Sequence, residues 1–293
     1  MANKVFENLR GSFVLILLCF FTLLAAIPIL VFGLLKLIPC VPMQNICRNI
    51  LERAAIGWMY INVYGAKLLL PTVFKIQGLK ALKKKGSYTI IANHQSWMDI
   101  TVLENIFIGK IPFGKFFIKN EFKWVPIIGL SAWAMDFPFM KRYSKAYLEK
   151  HPEKKGKDLD ETKAACEKFK HLPLTLVNFS EGTRFSAVKA KKQESPYQYL
   201  LKPRAGGISL IMSILGEKMD AILGVTIFYP GKAISLWEYL CGRMKEIKVD
   251  VRAIPVTPEM VGSLDDEDYV NFMRGQVNEI WAHKDIVMKT YNN

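Results

Sequence analysis

The chain has 293 residues, of which 51% are hydrophobic, and it carries a formal net charge of +14. This length accommodates an N-terminal membrane segment followed by one α/β domain of about 220 residues with its own core. An excess of positive charge attracts polyanions, but no zinc finger, RNP aromatic pair or GXXG loop accompanies it, which argues against nucleic acid as a partner. Beside a membrane segment, the anionic lipid surface is the nearest polyanion.

The first predicted element is an apolar helix. The run from Phe13 to Leu35 contains no charged residue, and at ~1.5 Å per residue a helix of this length is about 35 Å long, enough to cross a bilayer core. No cleavage site of small residues follows, so we expect the segment to remain attached as an anchor. Pro28 and Gly33 interrupt the run, which leaves open either a kinked transmembrane helix or a re-entrant hairpin.

The next segment, from Ile46 to Leu70, mixes charged and apolar residues. This mixture favours an interfacial helix over a second full span, and a helix that simply covers the domain is the alternative. We therefore divide the chain into an N-terminal membrane anchor, residues 1–70, and an α/β domain, residues 71–293.

Strands and helices are predicted to alternate over the rest of the chain. Apolar or alternating runs predict strands at Val73–Gln77, Tyr88–Ala92, Phe113–Ile118, Leu174–Val177, Ala221–Tyr229 and Ile247–Ala253. Helices are predicted at Ile100–Phe107, at Ala205–Leu215, and from about Asp265 to Met288. A further helix is predicted to begin at an N-terminal cap, either Asp158 or Asp160. The polar, basic stretch from Ala187 to Lys202 has no clear period and is predicted to be a mobile loop.

This alternation predicts an α/β fold. We expect a mixed, largely parallel sheet flanked by helices, preceded by the N-terminal membrane-anchoring helical segment. Functional residues are expected at the C-terminal ends of the strands.

A histidine and an aspartate follow the strand Tyr88–Ala92. His94 and Asp99 would lie about 140° apart on one ideal helix, so a joint role requires His94 to lie in the preceding turn with its ring folded back. A neutral imidazole can remove a proton from an alcohol, and a carboxylate on its other nitrogen fixes the tautomer. Ser96 could act as a nucleophile, but no Gly-x-Ser-x-Gly elbow is present, which favours direct attack by a substrate hydroxyl. By itself, this spacing is also typical of an ordinary polar turn.

The second motif, Glu181-Gly182-Thr183-Arg184, follows the strand Leu174–Val177. A specified string of four residues is rare by chance, and this one lies in the required strand-to-loop context. The planar guanidinium of Arg184 suits a phosphate, while Gly182 lets the backbone come close to a ligand. A buried Glu181 would need a partner, such as Arg184 or a substrate hydroxyl.

Several blocks occur in a characteristic order: Asn93-His94-x4-Asp99, Lys119–Gly129, Phe139–Arg142 and Glu181–Arg184. In this order they resemble the glycerolipid acyltransferases, and most closely the bacterial 1-acylglycerol-3-phosphate (lysophosphatidate) acyltransferases of an inner-membrane subgroup. The resemblance covers about residues 75–230. The chain departs from the family at the last block, where a proline is usual in an apolar strand and Gly224 stands in the stretch Leu223–Ile227.

The resemblance implies a catalytic His/Asp pair, an acyl-CoA or acyl-carrier-protein donor, a lysophosphatidate acceptor, and no cofactor or metal. Carried over by position, His94 is the general base and Asp99 orients it. The residues implied to bind the acceptor phosphate are Lys119, Arg184 and Arg142. Those implied to shape the acceptor pocket are Glu181, Gly182 and Thr183.

The expected function is transfer of a fatty acyl group to the sn-2 hydroxyl of 1-acylglycerol-3-phosphate, with membrane lipids as further partners. One alternative is an acyltransferase for another lysophospholipid or a lipid A precursor. Another is a non-enzymatic, membrane-tethered binder of anionic lipids. The five cysteines form no CxxC and no metal-ligand set, which suits free thiols in a reducing compartment. We therefore expect a bacterial inner membrane location with the catalytic domain on the cytoplasmic side.

Overall fold

A computed structural model describes residues 2–79, 82–125, 128–140, 166, 169 and 172–292. The helix predicted to begin at Asp158 or Asp160 lies outside these residues. The described α-helices are α1 (Ala2–Leu35), α2 (Val41–Leu69), α3 (Met98–Phe107), α4 (Ile128–Ala134), α5 (Ala187–Lys192), α6 (Gly206–Leu215), α7 (Leu236–Leu240) and α8 (Glu267–Asn292). The described strands are β1 (Val73–Gln77), β2 (Tyr88–Ala92), β3 (Gly114–Phe116), β4 (Ile118–Lys119), β5 (Phe139–Met140), β6 (Thr175–Phe179), β7 (Ala221–Phe228) and β8 (Glu246–Pro255).

Six of these strands form one sheet in the order β1-β8-β7-β2-β6-β3. All neighbouring pairs are parallel except β7 and β8, which are antiparallel. The prediction of a mixed, largely parallel sheet flanked by helices is confirmed. Because β2, β6 and β7 are parallel neighbours, the segments that follow them meet at one edge of the sheet.

The central strands are buried on both faces. Ile90 of β2 packs in a core with α3, whereas the next residue, Ile91, packs in a second core with α6 and α8. Side chains alternate between the faces of a strand, so a strand covered on both sides needs a continuous apolar run. This explains why Tyr88–Ala92 is apolar at nearly every position.

The long helices α1 and α2 pack against each other, and α1 also contacts α4 and α7. The part of α1 from Asn3 to Leu35 is long and apolar enough to cross a membrane by length and composition, and Pro28 lies within the continuous helix. Buried charges join these helices to the domain, because Asp136 contacts Lys36 at 2.8 Å and Arg48 at 3.0 Å. The division into an anchor and a separate domain stays a prediction.

Two local predictions were wrong. The stretch predicted as a mobile loop from Ala187 contains the short helix α5, because the side chain of Ser186 accepts a hydrogen bond from the backbone N–H of Lys189 and caps it. The strand predicted at Phe113–Ile118 is split. Its first part, β3, joins the main sheet, while β4 pairs with β5 in a separate two-stranded sheet.

Candidate active site

His94 and Asp99 meet at the C-terminal end of β2. His94 lies in the turn before α3 and Asp99 in the first turn of that helix, and Nδ1 of His94 is 2.7 Å from Oδ2 of Asp99. The imidazole also stacks on Phe179, the last residue of β6, with ring centroids 4.2 Å apart. The ring thus folds back over the helix, which is the arrangement that a joint role requires.

The carboxylate of Asp99 is fully buried and surrounded by donors. Its Oδ2 also accepts hydrogen bonds from the backbone N–H groups of Gln95 and Ser96, at 2.6 and 2.9 Å, and its Oδ1 accepts one from the hydroxyl of Tyr229 at 2.7 Å. Burial, and then the charge of Asp99, raise the pKa of Tyr229 well above its ordinary value, so the phenol stays protonated. Since an ionised carboxylate only accepts, Nδ1 of His94 carries the proton and Nε2 is the basic nitrogen.

Two neighbours of His94 fix the turn. The side chain of Asn93 is buried and bonds in both directions to the backbone of Ile227 in β7, at 2.9 and 2.8 Å. The hydroxyl of Ser96 is buried and donates to the carbonyl of Ile234 at 2.5 Å. Because this hydroxyl is engaged away from His94, the geometry favours direct attack by a substrate over a serine nucleophile.

The loop after β6 brings the second motif beside the first. The backbone N–H of Phe185 donates to the carbonyl of His94 at 2.7 Å. Gly182 has φ of +69°, a conformation that other residues rarely adopt, and it lines the same pocket as His94. Arg184 is exposed, with its guanidinium carbon 5.3 Å from the ring centroid of Trp97. The guanidinium is therefore open to solvent, and Arg184 is not among the residues that line the small pocket containing the imidazole.

Thr183 is held from the other side by α5. Nζ of Lys189 donates to the hydroxyl of Thr183 at 2.7 Å and to the carbonyl of Arg184 at 2.9 Å. The hydroxyl of Thr183 thus supports the loop and does not line the His94 pocket.

Glu181 is completely buried beneath this loop. Burial raises the pKa of its carboxyl to about 8, although the backbone N–H groups of Leu201 and His94 and the charge of Lys284 oppose the rise. No described group forms a hydrogen bond of ordinary geometry with either carboxyl oxygen. Among the described residues, Lys284 of α8 is a cation whose charge acts on Glu181, whereas the sequence suggested Arg184 or a substrate hydroxyl as the partner.

Lys284 is itself 1% exposed, and its ammonium donates to the carbonyl of Val225 in β7. Burial lowers the pKa of Lys284 to about 7, against the opposing charges of Asp250 and Glu181. A buried acid and a buried base therefore lie under the loop that carries Arg184.

The remaining predicted phosphate ligands are described only in part. The backbone of Lys119 lies in β4, which follows Phe117, a residue of the His94 pocket. The side chain of Lys119 and all of Arg142 lie outside the described residues. Their roles as phosphate ligands stay predictions.

An apolar chamber adjoins the His94 pocket. The pocket has a volume of about 230 Å³ and shares Phe116 and Val177 with a chamber of about 400 Å³. The walls of the chamber come from α1, α2, α3, α4, β3 and β6. Glu104 is an acidic residue in this wall, and burial raises the pKa of its carboxyl to about 7. A chamber of this size and composition can hold an apolar chain that starts at the imidazole.

Sequence reasoning missed three contributors. Tyr229 was expected only as the end of a strand, Lys189 was placed in a loop, and Lys284 lies in the last helix, far along the chain from either motif. A lysine on the apolar stripe of an amphipathic helix is the signal that could have found Lys284, since such a residue must be buried.

Together, the fold and the site define an enzyme class. An oriented imidazole can remove a proton from a hydroxyl, and the adjoining chamber can hold a hydrocarbon chain. A basic imidazole beside an apolar chamber suits the transfer of an acyl group to an alcohol.

Comparison with known proteins agrees with this class. The Acyltransferase family model matches residues 73–229, more than half of the chain. The chain therefore belongs to the Acyltransferase family.

Individual relatives are distant. The chain is 25% identical to human 1-acyl-sn-glycerol-3-phosphate acyltransferase gamma over 75% of its own length and 57% of the relative's. The corresponding figures are 26%, 71% and 56% for 1-acyl-sn-glycerol-3-phosphate acyltransferase 3 of Arabidopsis thaliana. For 2-acyl-1-lysophosphatidylinositol acyltransferase of Saccharomyces cerevisiae they are 23%, 71% and 62%. The chain thus spans a little over half the length of these relatives.

Among solved structures, the chain is similar to the 1-acyl-sn-glycerophosphate (LPA) acyltransferase of Thermotoga maritima. The sequence identity is 18%, the TM-score is 0.47, and the match covers 93% of this chain and 98% of the other.

Proposed function

We propose that the protein is a membrane-bound enzyme that moves a fatty acyl group from acyl-CoA or acyl-carrier protein to the sn-2 hydroxyl of 1-acylglycerol-3-phosphate. The product is phosphatidic acid. The observation that carries this proposal is the His94–Asp99 pair, whose pocket adjoins an apolar chamber, while the exposed Arg184 lies two residues after Gly182 of the pocket lining. The helix α1 supports a place in the membrane, and the free cysteines suit a catalytic domain on the cytoplasmic side.

The reaction takes place in one ternary complex. Nε2 of His94 removes the proton of the sn-2 hydroxyl as its oxygen attacks the thioester carbonyl, and Asp99 stabilises the imidazolium. When the tetrahedral intermediate collapses, the carbon–sulfur bond breaks, and the imidazolium returns the proton to the leaving thiolate. His94 is then ready for another cycle, and no acyl-enzyme forms.

Arg184 and Lys119 bind the acceptor phosphate, while the acyl chain of the donor occupies the chamber. Arg184 suits this role because it is exposed on the loop that contributes Gly182 to the His94 pocket, where a lipid head can reach it, and because its fork matches phosphate oxygens. The stack on Trp97 restricts the guanidinium and so lowers the entropy lost on binding.

The decisive assay measures thiol release from acyl-CoA by the purified enzyme, with lysophosphatidate or water as the acceptor. We expect release that depends on lysophosphatidate, and a loss of at least 10²-fold in His94→Ala, because general-base catalysis usually contributes about 10²- to 10⁴-fold. His283→Ala is the matched control, since His283 does not line the pocket. Full turnover in folded His94→Ala would eliminate the mechanism.

A second acceptor class has a specific observation in its favour, the similarity to a lysophosphatidylinositol acyltransferase. Turnover measured with a panel of acceptors distinguishes lysophosphatidate from lysophosphatidylinositol as the preferred acceptor. Faster turnover with lysophosphatidylinositol than with lysophosphatidate would replace the acceptor proposed here and keep the roles of His94 and Asp99.

A further inference from the structure

A second cavity, of about 640 Å³, adjoins the His94 pocket, since Gly206 lines the cavity and Gly207 lines the pocket, and it shares no described lining residue with the chamber. It is bordered by the start of α6 and by α8, and three of its side chains are cationic. These are Lys202, Arg204 and Arg274. No acidic residue is found among the described residues that line it, and we call it the basic cleft.

The charges of the basic cleft are not neutralised within the described part of the chain. Arg274 donates a hydrogen bond to the side-chain oxygen of Asn271 at 2.9 Å, which is a neutral partner. Lys202 and Arg204 are exposed, and no described carboxylate pairs with them. Three close cations repel one another, so the cleft is suited to a ligand with more than one negative charge.

Arg204 connects the cleft to the active site. Its backbone N–H donates to the carbonyl of Ser180 at 2.7 Å. Its guanidinium nitrogen lies 3.5 Å from the position that a Cβ on Gly182 would take. The cleft therefore begins at the loop that lines the His94 pocket.

Two adjacent glycines form the border between these cavities. Gly206 lines the basic cleft and Gly207 lines the His94 pocket. A Cβ on Gly206 would meet nothing within 4 Å, so packing does not require a glycine there, whereas a Cβ on Gly207 would lie 2.9 Å from the side chain of Asn178. Because glycine has no side chain, nothing beyond the backbone at these two positions stands in the way of an extended chain that passes from one cavity to the other.

We propose that the basic cleft binds the phosphorylated adenosine end of acyl-CoA. This inference rests on the proposed function and names the donor. Acyl-CoA carries, in order, an apolar tail, a thioester, a narrow pantetheine arm and a nucleotide with three phosphate groups. The apolar chamber, the His94 pocket, the glycine border and the basic cleft occur in the same order. Tyr197 lines the cleft and is the kind of aromatic residue on which an adenine can stack.

The test compares three donors that carry the same acyl group: acyl-CoA, acyl-carrier protein and the thioester of N-acetylcysteamine, which has no phosphate. We expect Arg204→Ala and the double variant Lys202→Ala/Arg274→Ala each to raise the KM for acyl-CoA about tenfold or more, since contacts between ionised groups are strong. The KM for the N-acetylcysteamine thioester should not change. Lys232→Ala, at an exposed lysine outside the cleft, is the matched control.

A direct binding measurement completes the test. Adenosine 3′,5′-bisphosphate should compete with acyl-CoA and bind the wild type, and it should bind the double variant at least about tenfold more weakly. Arg204→Lys should recover part of the affinity because it restores the charge, which a structural defect in the Gly182 loop would not allow.

Three results would overturn the assignment. The first is an unchanged KM for acyl-CoA in the variants, and the second is an equal rise with the phosphate-free donor. The third is a loss confined to acyl-carrier protein, which would make the cleft a docking site for that protein. A wild type that transfers from none of the donors would refute the proposed function itself, and the bisphosphate measurement would still decide whether the cleft binds the nucleotide.

Discussion

Replacing Glu181 by glutamine should stabilise the protein, and the gain should grow with pH. Burial raises the pKa of this carboxyl from an ordinary 4.5 to about 8. Between these values the unfolded chain has lost the proton that the folded protein still holds. Stability therefore falls as the pH rises through this interval, because a buried acid with a raised pKa favours unfolding once the solvent can take its proton.

The size of the effect follows from the two pKa values. Each pH unit inside the interval lowers the free energy of unfolding by about 1.4 kcal/mol, which gives about 3 kcal/mol at pH 7 and less than about 1 kcal/mol at pH 5. Glutamine has the same shape and no charge, so Glu181→Gln removes this cost. At ~2 to 4 °C per kcal/mol, the melting temperature should rise by roughly 6 to 12 °C at pH 7.

The assay measures the thermal unfolding of the purified protein in detergent by calorimetry at pH 5, 6, 7 and 8. Glu217→Gln, at an exposed glutamate outside the site, is the matched control and should leave the melting temperature nearly constant at each pH. An equal gain for Glu181→Gln at pH 5 and pH 8 would refute the linkage, and so would a loss of stability throughout.

Three further predictions concern the site. Asp99→Ala leaves the proton on Nδ1 of His94 without its acceptor, so turnover should fall by about 10²-fold or more, and steady-state rates within threefold of wild type would contradict this. Tyr229→Phe removes the described donor to Oδ1 of Asp99 and should lower stability by about 1.5 to 3 kcal/mol, measured by denaturant unfolding; an unchanged midpoint would count against that hydrogen bond. Arg184→Ala should raise the KM for lysophosphatidate about tenfold or more without affecting a monoacylglycerol acceptor, and equal losses with both acceptors would exclude a phosphate clamp.

The local pattern of apolar and polar residues was sufficient to predict many of the strands and helices. The apolar run Tyr88–Ala92 has the length of a buried strand, and the structure has β2 at these residues. The helices at Ile100–Phe107 and Ala205–Leu215 were placed within a few residues of α3 and α6. The spacing of apolar residues predicts these elements because it indicates which positions face a hydrophobic core.

Strand order and contacts between distant residues could not be read in this way. The antiparallel pairing of β7 with β8 brings together segments whose own sequences are compatible with either direction. Tyr229 and Lys284 lie 130 and 59 residues from the groups that they bond. The sequence around Tyr229 or Lys284 indicates that the side chain is buried, but it does not identify the group to which that side chain is hydrogen-bonded.

The motifs were found because each is short and local. The five-residue interval between His94 and Asp99 restricts the possible geometries to a turn before a helix, and the structure has that turn. The interval does not specify the donors that hold the carboxylate, since Tyr229 comes from the residue immediately after β7.

The helices α1 and α2 also have a consequence for the choice of substrate under the proposed function. Ala25, Ala26 and Ile29 of α1, with Ala55 and Met59 of α2, form part of the wall of the chamber. A truncated protein that starts at residue 71 would lack this wall, and its hydrocarbon cavity would be open on one side. Under the proposed function, the length of the fatty acid that fits is set partly by α1 and α2, and exchanging these helices between two such enzymes should exchange their chain-length preference while His94 and Asp99 stay the same.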